Sequence, residues 1–149
     1  MVTILQPVVA LVVWTLVMCL WMYATRLPAM AAAKVDPDSL AQDRDMSLEK
    51  VLEPRTQWKA HNFNHLHEAP TVFYAIMLTL ALLSTQPETD LAGNGLVALL
   101  GWSYVALRVT HSVVQATWNK VAVRFALFSL SQITLIGLAG IAILTVFGL

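Results

Sequence analysis

The sequence predicts an all-α integral membrane protein, a four-helix bundle, and three observations predict it. Of 149 residues, 58% are hydrophobic and 12% charged, with mean hydropathy +0.67, far from the balance of a soluble domain. Four apolar segments, at about 4–25, 68–85, 92–117 and 121–148, have the length needed to cross a hydrocarbon core of roughly 30 Å. Polar residues inside them recur at helical spacing, which places them on chosen faces. One domain, 1–149, accounts for the length.

The first segment, Ile4 to Tyr23, has no basic residue before it and reads as a retained helix over 4–25. Met30 to Ala33 offers small residues of the kind found at cleavage sites, but a signal peptide would begin with basic residues. Cys19, the single cysteine, excludes an intrachain disulfide and reads as a small packing residue. A polar loop over 26–53 follows. Pro54 suits the first position of a helix, so the second helix is expected over 54–85, with Pro70 kinking it. The turn Gln86-Pro87-Glu88-Thr89-Asp90 closes it, and Thr89 or Asp90 is positioned to cap the third helix, 92–117. Trp118-Asn119-Lys120 makes a very short connection to the fourth, 121–148. Internal repeats and low-complexity segments are not evident.

Basic residues set the orientation. Arg26, Lys34, Arg44, Lys50, Arg55 and Lys59 lie in or beside the long loop, and Lys120 lies in the last connection. The two termini and the 86–91 turn carry none, so both termini are expected outside the cytoplasm. Trp21, Trp58 and Trp118 then fall at the cytoplasmic boundary as interfacial anchors. Zero net charge offers no electrostatic case for nucleic acid, which leaves membrane lipid as the first partner.

Two polar stripes locate the chemistry. His61, Asn64, His65 and Glu68 stand at i, i+3, i+4 and i+7, just ahead of an apolar run. Tyr104, Arg108, His111 and Gln115 stand inside the third segment. An ionisable group at a membrane helix centre costs roughly 2.5–3.5 kcal/mol, so such groups are generally paired and functional. With Arg26 and Arg124, all converge on the cytoplasmic leaflet. Glu68 and Arg108 are the natural ion pair, either locking two helices together or forming part of a site. The remaining positive charge exceeds what Glu68 neutralises, which suits an anionic ligand bearing carboxylates. His61 and His65 have i, i+4 spacing but lack the glutamate of His-Glu-x-x-His, and His67 faces elsewhere, so no metal is expected. Polar faces on three helices exceed what one small bundle hides, which points to self-association.

The run Lys59-Ala60-His61-Asn62-Phe63-Asn64-His65-Leu66-His67-Glu68-Ala69-Pro70 resembles the second-helix signature of the MAPEG superfamily, the membrane-associated proteins of eicosanoid and glutathione metabolism. Arg108-Val109-Thr110-His111 matches its third-helix Arg-x-x-His element, and Arg124 stands where the family carries a fourth-helix arginine. The resemblance covers the whole chain and implies a homotrimer with glutathione, the co-substrate, held between protomers near the cytoplasmic face. It makes Arg26, Lys59, Asn64, Glu68, His111, Gln115 and Arg124 glutathione contacts, with Arg108 in support and Arg124 stabilising the thiolate. The implied function is a glutathione-dependent transferase or peroxidase acting on lipophilic electrophiles. The short chain and the absence of targeting signals point to a bacterial-type inner membrane. The chain departs from the eukaryotic enzymes at Gln115 and Phe128, where they carry tyrosines, and at Lys59, where they carry arginine. Asn64 and Glu68 are also four residues apart instead of three. Gln115 and Phe128 favour the alternative, a non-catalytic lipid-binding or scaffold protein of the same fold, whereas the retained Arg124 and His111 favour the enzyme. A proton-coupled transporter is disfavoured because Glu68 is the lone intramembrane acid.

Overall fold

A computed structural model describes residues 2–36, 38, 47–89, 91 and 95–148. Its helices are α1 (Val2–Ala32), α2 (Leu48–Val51), α3 (Pro54–Glu68), α4 (Thr71–Leu83), α5 (Gly95–Thr117) and α6 (Val121–Phe147). Together α3 and α4 make one membrane-length unit, so four spans cross: α1, α3–α4, α5 and α6. The protein is an integral, multi-pass four-helix bundle.

The first span outruns its expected end. Its 31 residues reach roughly 46 Å at about 1.5 Å per residue, well beyond the hydrocarbon core. Pro28 does not stop it, because Ala29 to Ala32 continue the helix with residues of high helical propensity. Lys34, at φ 51°, ends it in the left-handed region, and the Val35 N–H closes the turn on the Met30 carbonyl at 3.1 Å. Arg26 therefore sits inside α1 and not at its end.

The second span is broken between Glu68 and Thr71. Pro70 has no N–H to give the ladder, and a new helix starts beyond it. The Thr89 hydroxyl turns back onto the carbonyls of Leu83, at 2.6 Å, and Gln86, at 3.1 Å. Among the described residues its bonds thus close the preceding helix; α5 begins at Gly95, and Asp90, the other expected cap, lies outside the described residues.

The third span is the axis of the bundle. α5 packs against α6, α1 and α3, while α4 packs against α1 and α6. Its buried residues, Val97, Gly101, Tyr104, Val105, Arg108, His111, Ser112, Gln115 and Ala116, follow the helical period along one face. Phe73 of α4 stacks on Tyr104 at 4.3 Å between centroids. Gly101 lets α1 and α4 approach α5 closely: a Cβ there would lie 3.0 Å from Met77 Cε and 3.2 Å from Pro7 Cγ. Leu16, Leu20, Leu82, Phe125, Ile133 and Ile136 point outward, the apolar coat that lipid or a neighbouring subunit must cover.

Candidate functional site

The polar half of the buried α5 face carries the site. Arg108 is completely buried, and its Nη2 donates to Nδ1 of His65 on α3 at 3.2 Å. Its Nε and Nη1 have no hydrogen-bond partner among the described residues. The face of the Phe128 ring lies 5.8 Å from the guanidinium carbon, so a cation–π contact covers part of the charge. One turn further along α5, the His111 ring lies 5.1 Å from that of His65.

The expected Glu68–Arg108 ion pair does not form. Glu68 is exposed at the end of α3, whereas Arg108 turns inward to His65. The reason is helix rotation. Gln57, Ala60, Asn62 and Leu66 are the buried residues of α3, and the Asn62 amide donates to the Ser112 hydroxyl of α5 at 2.5 Å. That bond and the burial of Leu66 turn Asn64 and Glu68 outward, leaving His65 half-buried against α5.

A cavity of about 270 Å³ opens beside this cluster, lined by His65, His111, Val121, Arg124, Phe125 and Phe128. Arg124 reaches it from the first turn of α6. The short connection before that helix explains its pose. Asn119 adopts φ 52°, which asparagine tolerates better than most residues, and its N–H closes α5 on the Val114 carbonyl at 2.7 Å. The same residue accepts from Arg124 Nη1 through Oδ1 at 2.7 Å. One turn residue thus ends a helix and orients a guanidinium. Among the described residues the cavity wall holds two imidazoles and a guanidinium but no carboxylate, and exposed Val121 and Phe125 form its apolar side.

Of the residues singled out by sequence, His111 and Arg124 line the cavity and Arg108 lies behind it. Gln115 is buried on the same α5 face, with its Oε1 unpartnered, but is not part of the wall. Arg26 and Lys59 belong to a separate cluster between α1 and α3. There Arg26 Nη2 donates to Gln57 Oε1 at 3.3 Å, Gln57 donates to the Leu48 carbonyl, and Lys59 donates to the Arg55 carbonyl at 2.8 Å. Asn64 and Glu68 are exposed and outside the cavity. His65, a member of the polar stripe that the resemblance did not name as a ligand contact, is in the wall. Among the described residues, no group of three His, Cys, Asp or Glu side chains converges to hold a metal ion.

A model of the MAPEG family matches residues 4–144, from the first turn of α1 to the last turns of α6. The chain belongs to the MAPEG family. No curated protein and no solved structure matches it. Family membership and the four spans agree on an integral, multi-pass membrane protein. Within the MAPEG element of the second helix, Asn62 and not Asn64 is the asparagine that packs inward in this chain.

Proposed function

We propose that this MAPEG-family protein is a membrane-embedded, glutathione-dependent transferase or peroxidase acting on lipophilic electrophiles, working as a homotrimer. The observation that carries this reading is the cavity beside Arg124. It offers cationic and N–H donors without a carboxylate, next to an exposed apolar wall. Such a lining suits an anionic nucleophile on one side and a lipid-dissolved substrate on the other.

A free thiol has a pKa of about 8.5, so only a few per cent is thiolate at neutral pH. The Arg124 guanidinium, held at Nη1 by Asn119, stabilises the thiolate by charge without itself accepting the proton, which leaves to water. In the transferase reaction the sulfur forms a bond to the electrophilic carbon, and the leaving group departs with its bonding electrons. The electrophile arrives from the bilayer past Val121 and Phe125.

Trimer formation supplies what one protomer lacks. Asn64 and Glu68 are exposed on a membrane-spanning helix, a costly arrangement that a second copy would cover. Between copies, these residues with Arg26 and Lys59 would hold the peptide part of glutathione. The scaffold reading draws on Phe128, which places an aromatic ring without a hydroxyl in the cavity wall. Calorimetric titration of the detergent-purified protein with glutathione separates the two, followed by conjugation of an aryl halide. Binding with conjugation supports the transferase. A folded protein that does neither is the lipid-binding scaffold.

A further inference from the structure

An arginine side chain carries five N–H donors and no acceptor. The 3.2 Å contact between Arg108 Nη2 and His65 Nδ1 therefore has one possible polarity: Nδ1 accepts. A neutral imidazole accepting at Nδ1 must carry its proton on Nε2. Among the described residues that Nε2 has no partner, nor is it among the buried unpartnered atoms, and its ring lines the cavity. Two further contacts hold the ring's plane: His111 at 5.1 Å and Phe128 at 5.9 Å between centroids. Arg108 cannot itself reach the cavity as an exposed group, since it is completely buried and absent from the wall.

We infer that His65 is the neutral hydrogen-bond donor to the ligand's thiolate, through Nε2–H, and that buried Arg108 is its positioning residue, fixing the tautomer from behind. This assignment rests on the glutathione reading of the cavity and names a residue of that site. Arg124 provides the charge at sulfur, and His65 provides the directed hydrogen bond that the Phe128 ring cannot give. Both act on the same anion from different helices, α6 and α3.

Two measurements on the full chain in detergent test it. Nitrogen-15 spectra of histidine-labelled protein, assigned with His65→Gln, read the tautomer directly and need no ligand. The expected signature is an acceptor-type Nδ1 and a protonated Nε2, with the preference weakened in Arg108→Gln. Should that variant fail to fold, Arg108→Lys retains a donor and should retain the signature. A protonated Nδ1 in the wild type overturns the proposal. The second measurement is the thiolate fraction of bound glutathione by ultraviolet absorbance. His65→Leu should lower the thiol's ionisation constant about tenfold, the loss of one hydrogen bond to a charged group. His65→Gln should restore most of it, since an amide also accepts on one side and donates on the other. If His65→Leu instead weakens glutathione and S-methylglutathione equally with the ionisation unchanged, His65 holds the peptide part and the thiolate assignment is wrong. A folded wild type that binds no glutathione overturns the parent reading and this assignment with it, whatever the tautomer. Wild-type thiolate that persists undiminished in His65→Leu overturns this assignment alone.

Discussion

Arg108 donates through Nη2 to His65 Nδ1 across 3.2 Å, tying the third span to the second at a completely buried charge. Among the described residues the guanidinium has no carboxylate partner, and its Nε and Nη1 are unpartnered. Its environment is a ring face, an imidazole lone pair and the interior of the bundle.

That relationship makes a quantitative claim about coupling. In a double-mutant cycle on thermal unfolding in detergent, His65→Leu and Arg108→Leu should couple by about 1–2 kcal/mol. Glu68→Gln and Arg108→Leu should be additive within about 0.5 kcal/mol, as expected of residues without a shared contact. The reverse ranking would restore the Glu68 ion pair and displace His65.

The turn at Asn119 gives a separate test. Asn119→Ala should cost about 1 kcal/mol more than Asn119→Gly, because a positive φ strains alanine and leaves glycine unstrained. Asn119→Gly keeps the turn but removes the acceptor for Arg124. It should fold with near-normal thermal stability yet lower the thiolate fraction of bound glutathione, whereas Asn119→Asp keeps both the turn and the acceptor. An equal thiolate fraction in all three would show that Arg124 needs no anchor.

Helix approach at Gly101 makes a stability prediction. Gly101→Val should cost about 1–3 kcal/mol through overpacking against Met77 and Pro7. At Gly140 a Cβ would meet nothing within 4 Å, and Gly140→Ala in the middle of α6 should be neutral or gain up to about 1 kcal/mol. Similar melting temperatures for the two variants would refute the close three-helix contact.

Orientation is open to reporters. A fusion after Leu149 should report the non-cytoplasmic side and an insertion near Ser39 the cytoplasm, because Lys and Arg concentrate in the connections on one side. A cytoplasmic carboxyl terminus would move the cavity to the opposite leaflet.

Legibility differed between the two polar stripes for a physical reason. In α5 the residues around Tyr104, Arg108, His111 and Gln115 are largely apolar, so the period of the polar groups coincides with a buried face. In α3, by contrast, nearly every position from Arg55 to Glu68 is polar or aromatic, and no apolar stripe fixes its rotation. Helical spacing then offers His61, Asn64, His65 and Glu68 together and the family resemblance selects Asn64 and Glu68 among them, while Leu66 burial and the Asn62–Ser112 bond set the actual inward face. Likewise the expected first helix, 4–25, leaves Pro28 in the polar loop, but the alanines behind that proline carry α1 onward. The partner of Arg108 was legible only as a need for a partner. Which side chain met that need depended on a helix rotation that no local pattern encodes.

The decisive test of function separates charge at sulfur from contacts to the rest of the ligand. Arg124 is in the cavity wall, whereas Arg26 is bonded to Gln57 outside it. Under the transferase reading, Arg124→Gln should lower the thiolate fraction of bound glutathione by about 10–100-fold, the effect of removing one opposite charge near an ionising group. Its dissociation constant should change much less. Arg26→Ala should do the reverse, weakening binding severalfold while whatever binds retains its thiolate, because remote contacts contribute uniform binding and not reactivity. Phe128→Tyr adds a hydroxyl to the same wall and should raise the thiolate fraction if the ring keeps its place against His65 and Arg108. Stopped-flow absorbance of the thiolate together with conjugation rates measures both quantities on each variant. If Arg124→Gln and Arg26→Ala reduce binding and thiolate in the same proportion, Arg124 acts as one more anchoring charge. The cavity would then be a binding site without activated sulfur.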